Sequence, residues 1–360
     1  MLFLGVLSVI QLVLVPGLLL IRYFPARHSP LQKIIYVFML SLLGNYVGIF
    51  LLVTVGLYTR AVVLVIFALE VTALVWINRE KLTFRLDSSM AKGREGVAKA
   101  IDHFNEWQKR DFLSATLFFV FSVAAGLSLL WLLSLWTREF THVFNAWDTY
   151  ASWDRWAEKW AQNRFPGDTW EYPQLIPVSF SITYKFIGTT AVKFFAKSIM
   201  PLFSFMIVLM LVDLGWKQRS FGYMAGAGLA LFGIVSLLRE YVAEGYVDIP
   251  VACFSLMAIY TLLKAQDSHD VDELKQTLWL GSLATAAALV TKQTGGYVAV
   301  LYPVFAYFWL IKNSNLIERR EGLRLLAKQI LVFLLIVAPW YALAVFRILT
   351  GGNSSNIDYV

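Results

Sequence analysis

The chain is poor in charge. Of its 360 residues, 15% are Asp, Glu, Lys or Arg, where a soluble domain carries about 25%. That deficit excludes an ordinary soluble fold, because the 58% of hydrophobic residues is gathered into long runs. Cysteine is almost absent. Cys253 stands alone inside an apolar run, which excludes an intramolecular disulfide and leaves cysteine usage silent about compartment. There is no low-complexity tract and no solenoid period. The glycine pair in "GAGLA" (226–228) follows no strand, so a dinucleotide-binding loop is excluded, and small residues inside a helix serve close packing.

Several apolar runs reach the roughly 20 residues that cross a bilayer. About ten are read, at 2–21, 33–57, 61–78, 112–136, 191–214, 220–238, 248–264, 277–291, 294–311 and 329–349. The expected fold is all-α, a polytopic integral membrane protein of about ten transmembrane helices. The first run is too long for a signal-peptide core and has neither a charged leader nor a small-residue cleavage site. It is expected to stay as a helix.

The net charge of +7 sits in short loops. Arg22, Arg27 and Lys33 form one group, and eight basic residues lie between Arg79 and Arg110. Lys217 with Arg219, Lys264 with Lys275, and Arg319, Arg320, Arg324 and Lys328 form the others. Ten spans put all of these loops on one side, which the positive-inside rule makes cytoplasmic. The N-terminus then starts outside. The basic charge is a topology signal, so membrane lipids are expected partners and nucleic acid is not.

Residues 1–111 read as three helices followed by a cytoplasmic amphipathic connector, "AKGREGVAKAIDHFNEWQKRD". Residues 112–349 read as a transmembrane core with its longest external segment at 137–190. Residues 350–360 read as an external tail, expected to be the truncated end of a longer chain.

The external segment opens with "NAWDTYASWDRWAEKWAQN" (145–163). Trp153, Trp156 and Trp160 are spaced three and four apart, which places them on one helical face. That face is expected at headgroup depth in the outer interface. Asp148 precedes the helix. It reads as an N-cap accepting backbone N–H bonds, or as a carboxylate that takes a proton from an incoming hydroxyl or amine; the two roles are compatible. Downstream, Pro173 and Pro177 are expected to break any helix, so that Glu171, Tyr172 and Tyr184 ride on a bent segment returning to the membrane. Two further turns lie on the same side. "REYVAEGYVDIP" (239–250) presents Arg239, Glu240, Glu244 and Asp248, and "TKQTGG" (291–296) presents Lys292. Span ends often carry such charges for snorkelling or capping. Three consecutive turns with carboxylates and a lysine also suit a substrate that has a phosphate and a proton to lose.

Three segments carry a resemblance: "EYPQLIPVSFSITYKFIGTTAVKFFAKSIMPL", "EGYVDIPVACFSLMAIYTLL" and "WLGSLATAAALVTKQTGG". In that order they resemble segments of the membrane GT-C glycosyltransferases, among them the protein O-mannosyltransferases and the aminoarabinose transferases of lipid A. The resemblance covers roughly 112–349, and the tryptophan-rich stretch is similar to a bacterial branch of the superfamily. It implies a GT-C type fold and transfer from a polyprenyl-phosphate-linked sugar to a glycan, lipid or protein acceptor. The place implied is the external membrane face, with a bacterial inner membrane expected and the site facing the periplasm or cell exterior. The family's first acidic catalytic position falls on Asp148, the later acidic position on Asp248, and the lysine facing the donor phosphate on Lys292.

Two positions depart from the family. Its acidic pair is here Asp148-Thr149, and its His-Pro-Pro is Tyr172-Pro173-Gln174. A divalent cation is left open by these departures, with Asp154, Glu171 and Tyr172 as acceptor-side or metal-side candidates. Lys197 and Arg239, with Lys193, stand as further phosphate-binding candidates. The rival reading is a transporter or lipid-linked-sugar flippase, for which Glu70 and Asp213 supply charges within or near the spans.

Overall fold

The computed structural model describes residues 1–25, 28–79, 111–139, 143–169, 171–312 and 315–350, without the side chains of 136, 138, 139, 231 and 235–240. The connector at 80–110 and the tail at 351–360 lie outside the described residues. Those described form helices and turns, with no strand among them.

Among the described residues, eight helices are long and apolar enough to cross a membrane. The first is divided at Leu14 into α1 (Leu2–Val13) and α2 (Val15–Leu20), and α3 (Pro30–Thr54) and α4 (Arg60–Asn78) follow. After α5 (Phe112–Glu139), a π-helical turn at Thr149–Asp154 runs into α6 (Arg155–Ala161), and α7 is Leu175–Ile187. α8 (Phe194–Lys197) and α9 (Met200–Gln218) make one span; α10 is Phe221–Ala243 and α11 is Asp248–Gln266. The chain continues through α12 (Val271–Thr291), α13 (Gly296–Phe305) and α14 (Arg319–Leu349).

The two remaining expected spans are also helical. α10 is apolar over Phe221–Ile234, up to the residues whose side chains are not described, and α12 falls short in apolar length. α12 starts six residues earlier than its apolar run because Asp270 caps it, accepting from the Glu273 amide at 2.8 Å. Its first turn therefore carries Asp272 and Glu273. α14 likewise starts before its apolar run, and its 31 residues span about 46 Å at 1.5 Å each. A hydrocarbon core is about 30 Å thick, so the basic turns from Arg319 to Lys328 extend past it.

The segment after Pro173 differs from the expected bend. α7 is uninterrupted, and every residue in it except Lys185 is buried. Pro177 is its third residue, where the missing N–H had no intrahelical acceptor to lose, and Pro173 lies ahead of the helix. Gly188, at φ 86°, ends it in the left-handed conformation that favours glycine. α7 packs against α1, α3, α4, α6 and α12, so it is a short internal helix around which longer ones assemble.

The bundle has two ends. At the basic end, the Ser29 hydroxyl and the Tyr260 hydroxyl donate to Asp213 at 2.8 and 2.7 Å, and the Lys264 ammonium lies 2.5 Å from the same carboxylate. Lys217 pairs with Asp267 and Lys275 with Glu321 at that end too. At the opposite, tryptophan-rich end, Asn163 accepts from the Tyr58 amide and donates to the Gly56 carbonyl. Arg347 donates to the Pro166 carbonyl there.

α2 and α3 meet at Gly17. Its amide donates to the Ser41 hydroxyl at 2.7 Å, and a Cβ there would lie 2.0 Å from the Val37 carbonyl oxygen. Gly17→Ala should force the helices apart and cost roughly 1–3 kcal/mol as an overpacked contact. Ser41→Ala should cost about 1 kcal/mol, the worth of one hydrogen bond. Thermal unfolding in detergent measures both, and an unchanged Gly17→Ala midpoint would contradict the close approach.

Candidate functional site at the tryptophan-rich end

Glu244 joins its own turn to the 143–149 segment and to α8. Its carboxylate accepts from the Asn145 amide at 2.8 Å and from the Lys197 ammonium at 2.7 Å, and its carbonyl accepts from the Thr149 hydroxyl. Lys197 also donates to the Val143 carbonyl at 2.8 Å. The chain reaches this position because Gly245 adopts φ 85°, and a Cβ there would lie 2.4 Å from Thr149 Cγ2. Four residues after Glu244, Asp248 opens α11, where a carboxylate suits the positive end of the helix dipole. Its Oδ1 lies 2.6 Å from the ammonium of Lys292, the residue that ends α12. The segments 143–149, 244–248 and 291–296 are thus joined at one end of the bundle.

The expected site residues separate into exposed and buried ones. Asp148 is exposed. It makes no side-chain capping bond, because the chain is already helical there and the Thr149 and Tyr150 amides bond back to the Ala146 carbonyl. The capping role is therefore not realised. Lys292 and Asp248 form a pair whose side chains are 24% and 53% exposed, open to a ligand. Lys197 is placed differently: it is 0% exposed, its charge matched by Glu244. That geometry makes it a tie between α8 and the Glu244 turn. Arg239 lies in α10, and its side chain is outside the described residues.

The tryptophan face also differs from expectation. Trp153, Trp156 and Trp160 are all buried against protein. Trp153 and Trp156 meet edge to face at 4.9 Å, and Tyr172 packs on both. The Trp160 indole donates to Gln174 at 3.0 Å and contacts Phe50, Phe165 and Trp340. Gln174, at the start of α7, thereby anchors this face. Aromatic side chains bury about 150–250 Å² each, so the three indoles clamp the π-helical turn and α6 onto the bundle. Trp147 and Tyr150, ahead of that clamp, are exposed.

Asp154 points the other way from solvent. It is buried, accepts from the Tyr184 hydroxyl, and lies 2.7 Å from the Lys193 ammonium, which also pairs with Glu158. Burial pushes the Asp154 carboxyl up from its ordinary value, against the opposing pull of Lys193 and Tyr184. Lys193 also lies over the Tyr184 ring at 4.9 Å. Glu171 is exposed beside Tyr172. Among the described residues no group of three or more His, Cys, Asp or Glu is arranged to hold a metal ion. The three cavities described, of ≈ 280, 210 and 610 Å³, are lined by other residues than Asp148, Asp248 and Lys292.

Glu244 is the residue that motif reasoning underweighted. The positive φ of Gly245, following it directly, is the local signal that the backbone turns sharply there. The two ion pairs should respond differently to mutation. Glu244→Ala removes the carboxylate that pairs with the buried Lys197 ammonium and should cost about 3–5 kcal/mol. Lys292→Ala breaks a half-exposed pair and should cost no more than about 1 kcal/mol. Equal losses in thermal unfolding would contradict this division. No family model matches the chain, and neither a curated protein nor a solved structure matches it.

Proposed function

We propose that the protein is a GT-C type glycosyltransferase that moves a sugar from a polyprenyl-phosphate-linked donor to an acceptor at the external membrane face. The observation that carries this reading is the Lys292–Asp248 pair. It joins the two later motif segments at the end of the bundle that also holds Asp148. Eight apolar helices supply the membrane setting that a lipid-linked donor needs.

In this reading the Asp148 carboxylate takes the proton from an acceptor hydroxyl or amine. The freed oxygen or nitrogen attacks the anomeric carbon as the bond from that carbon to the phosphate oxygen breaks. Polyprenyl phosphate leaves with the electron pair, and the Lys292 ammonium meets the charge that develops on it. Asp248 holds Lys292 in place before the donor arrives. Lys197 and Glu244 carry no chemical step; they fix the backbone on either side of the reacting groups, as the buried indoles do. Asp154, Lys193 and Tyr184 brace the loop from inside.

The test is release of polyprenyl phosphate from a labelled lipid-linked sugar by purified protein. Asp148→Asn should lower turnover by about 10²–10⁴-fold, the usual worth of general-base catalysis, with folding retained. Turnover at the wild-type level would remove Asp148 from the base role. Counterflow uptake by proteoliposomes with the substrate chemically unchanged would replace this reading with transport.

A further inference from the structure

A second polar site lies inside the span layer, among α1–α4 and therefore outside the region that carries the glycosyltransferase resemblance. Glu70 is midway along α4, a helix in which Val63 is the one fully buried residue. At 1.5 Å per residue, Glu70 is about 15 Å from the Arg60 end of its helix. Gln11 and Asn45 are each about 14 Å from the same end, counted along α1 from Leu2 and along α3 from Thr54. Half of a hydrocarbon core about 30 Å thick is the same distance. Three polar side chains thus share the mid-depth plane.

Their hydrogen bonds do not complete one another. The Gln11 amide nitrogen donates to Asn45 Oδ1 at 2.8 Å and reaches Glu70 Oε2 only at 3.4 Å. The Gln11 carbonyl oxygen is buried without a partner. Asn45 spends its own amide on the Leu12 carbonyl. Among the described residues no Lys, Arg or His pairs with Glu70. The three side chains line a half-open cavity of ≈ 280 Å³ whose other walls are mainly apolar, Leu19, Leu52 and Ile66 among them. At about 30 Å³ per water, that is room for a short stretch of hydrocarbon chain.

A mid-depth carboxyl group without a cation is an expensive arrangement that ordinarily marks a ligand or proton pathway. The complement that this cavity lacks is positive charge with hydrogen-bond donors, attached to an apolar body. We propose that the cavity is a binding site for a lipophilic amine, entered from the lipid side. The ammonium pairs with Glu70 beside the Gln11–Asn45 amides, while the chain lies along the apolar wall. An anionic lipid is disfavoured there by like charge, and a neutral alcohol leaves the carboxylate unmatched.

The test uses the whole protein in detergent and an apolar carbodiimide, which adds to a protonated carboxyl group and is read as a mass shift on the Glu70 peptide. N,N-Dimethyldodecylamine, a tertiary amine that is cationic when protonated and cannot form an amide with the activated carboxyl, should slow labelling of Glu70 about tenfold near saturation. Dodecanol, with the same chain and no charge, should not. The amine should also raise the thermal midpoint of the wild type and leave that of Glu70→Gln unchanged. Equal protection by amine and alcohol would overturn the proposal, since the chain alone would then fill the cavity. Failure of the amine to protect, failure of Glu70 to label, or equal stabilisation of Glu70→Gln would overturn it as well. The wild-type competition stands whether or not Glu70→Gln folds.

Discussion

A lysine ammonium with no exposure to solvent must find its compensation inside the protein. Lys197 finds it in the Glu244 carboxylate and the Val143 carbonyl. A buried charge that loses its partner is strongly destabilising, whereas the intact pair is close to neutral in net stability. What the pair contributes is therefore position. It brings the chain at 143–149 to the turn at 244–245, and the Asn145 amide and Thr149 hydroxyl complete the join. Asp148 is exposed beside this join, and Asp248 with Lys292 follows from it along α11.

The rest of the tryptophan-rich end is built to keep that join still. α7 fills the interior, and the indoles of Trp153, Trp156 and Trp160 press the external segment down on the bundle. Asp154, Tyr184, Lys193 and Glu158 add a polar brace in which each charge has a partner. The outcome is a division of labour between buried and open charges. Buried ones hold the backbone, and the half-exposed pair of Asp248 and Lys292 remains available to a ligand.

Much of this architecture was legible in residue order. Long apolar runs with basic connections mark membrane spans because water and hydrocarbon sort those residues so strongly. The three-four spacing of the indoles likewise identified a helical face. What faces that stripe was not legible, since an indole suits a lipid interface and a protein interior alike. α7 was missed because Pro177 reads as a breaker unless the start of the helix is known to be two residues away. Lys197 read as a phosphate ligand because its acid, Glu244, lies 47 residues further on and only the fold shows the pairing. Lys292 and Asp248 were singled out by motif position, and the geometry adds their contact.

The account's central claim is that Lys292, and not Lys197, meets the donor's phosphate. Acylation footprinting of lysines by mass spectrometry, with and without saturating polyprenyl monophosphate, measures this directly. The account predicts that Lys292 reacts in the free protein and is protected by the lipid, while Lys197 stays unreactive in both states. Unchanged reactivity of Lys292 on addition of the lipid, or a reactive Lys197 that the lipid protects, would contradict it.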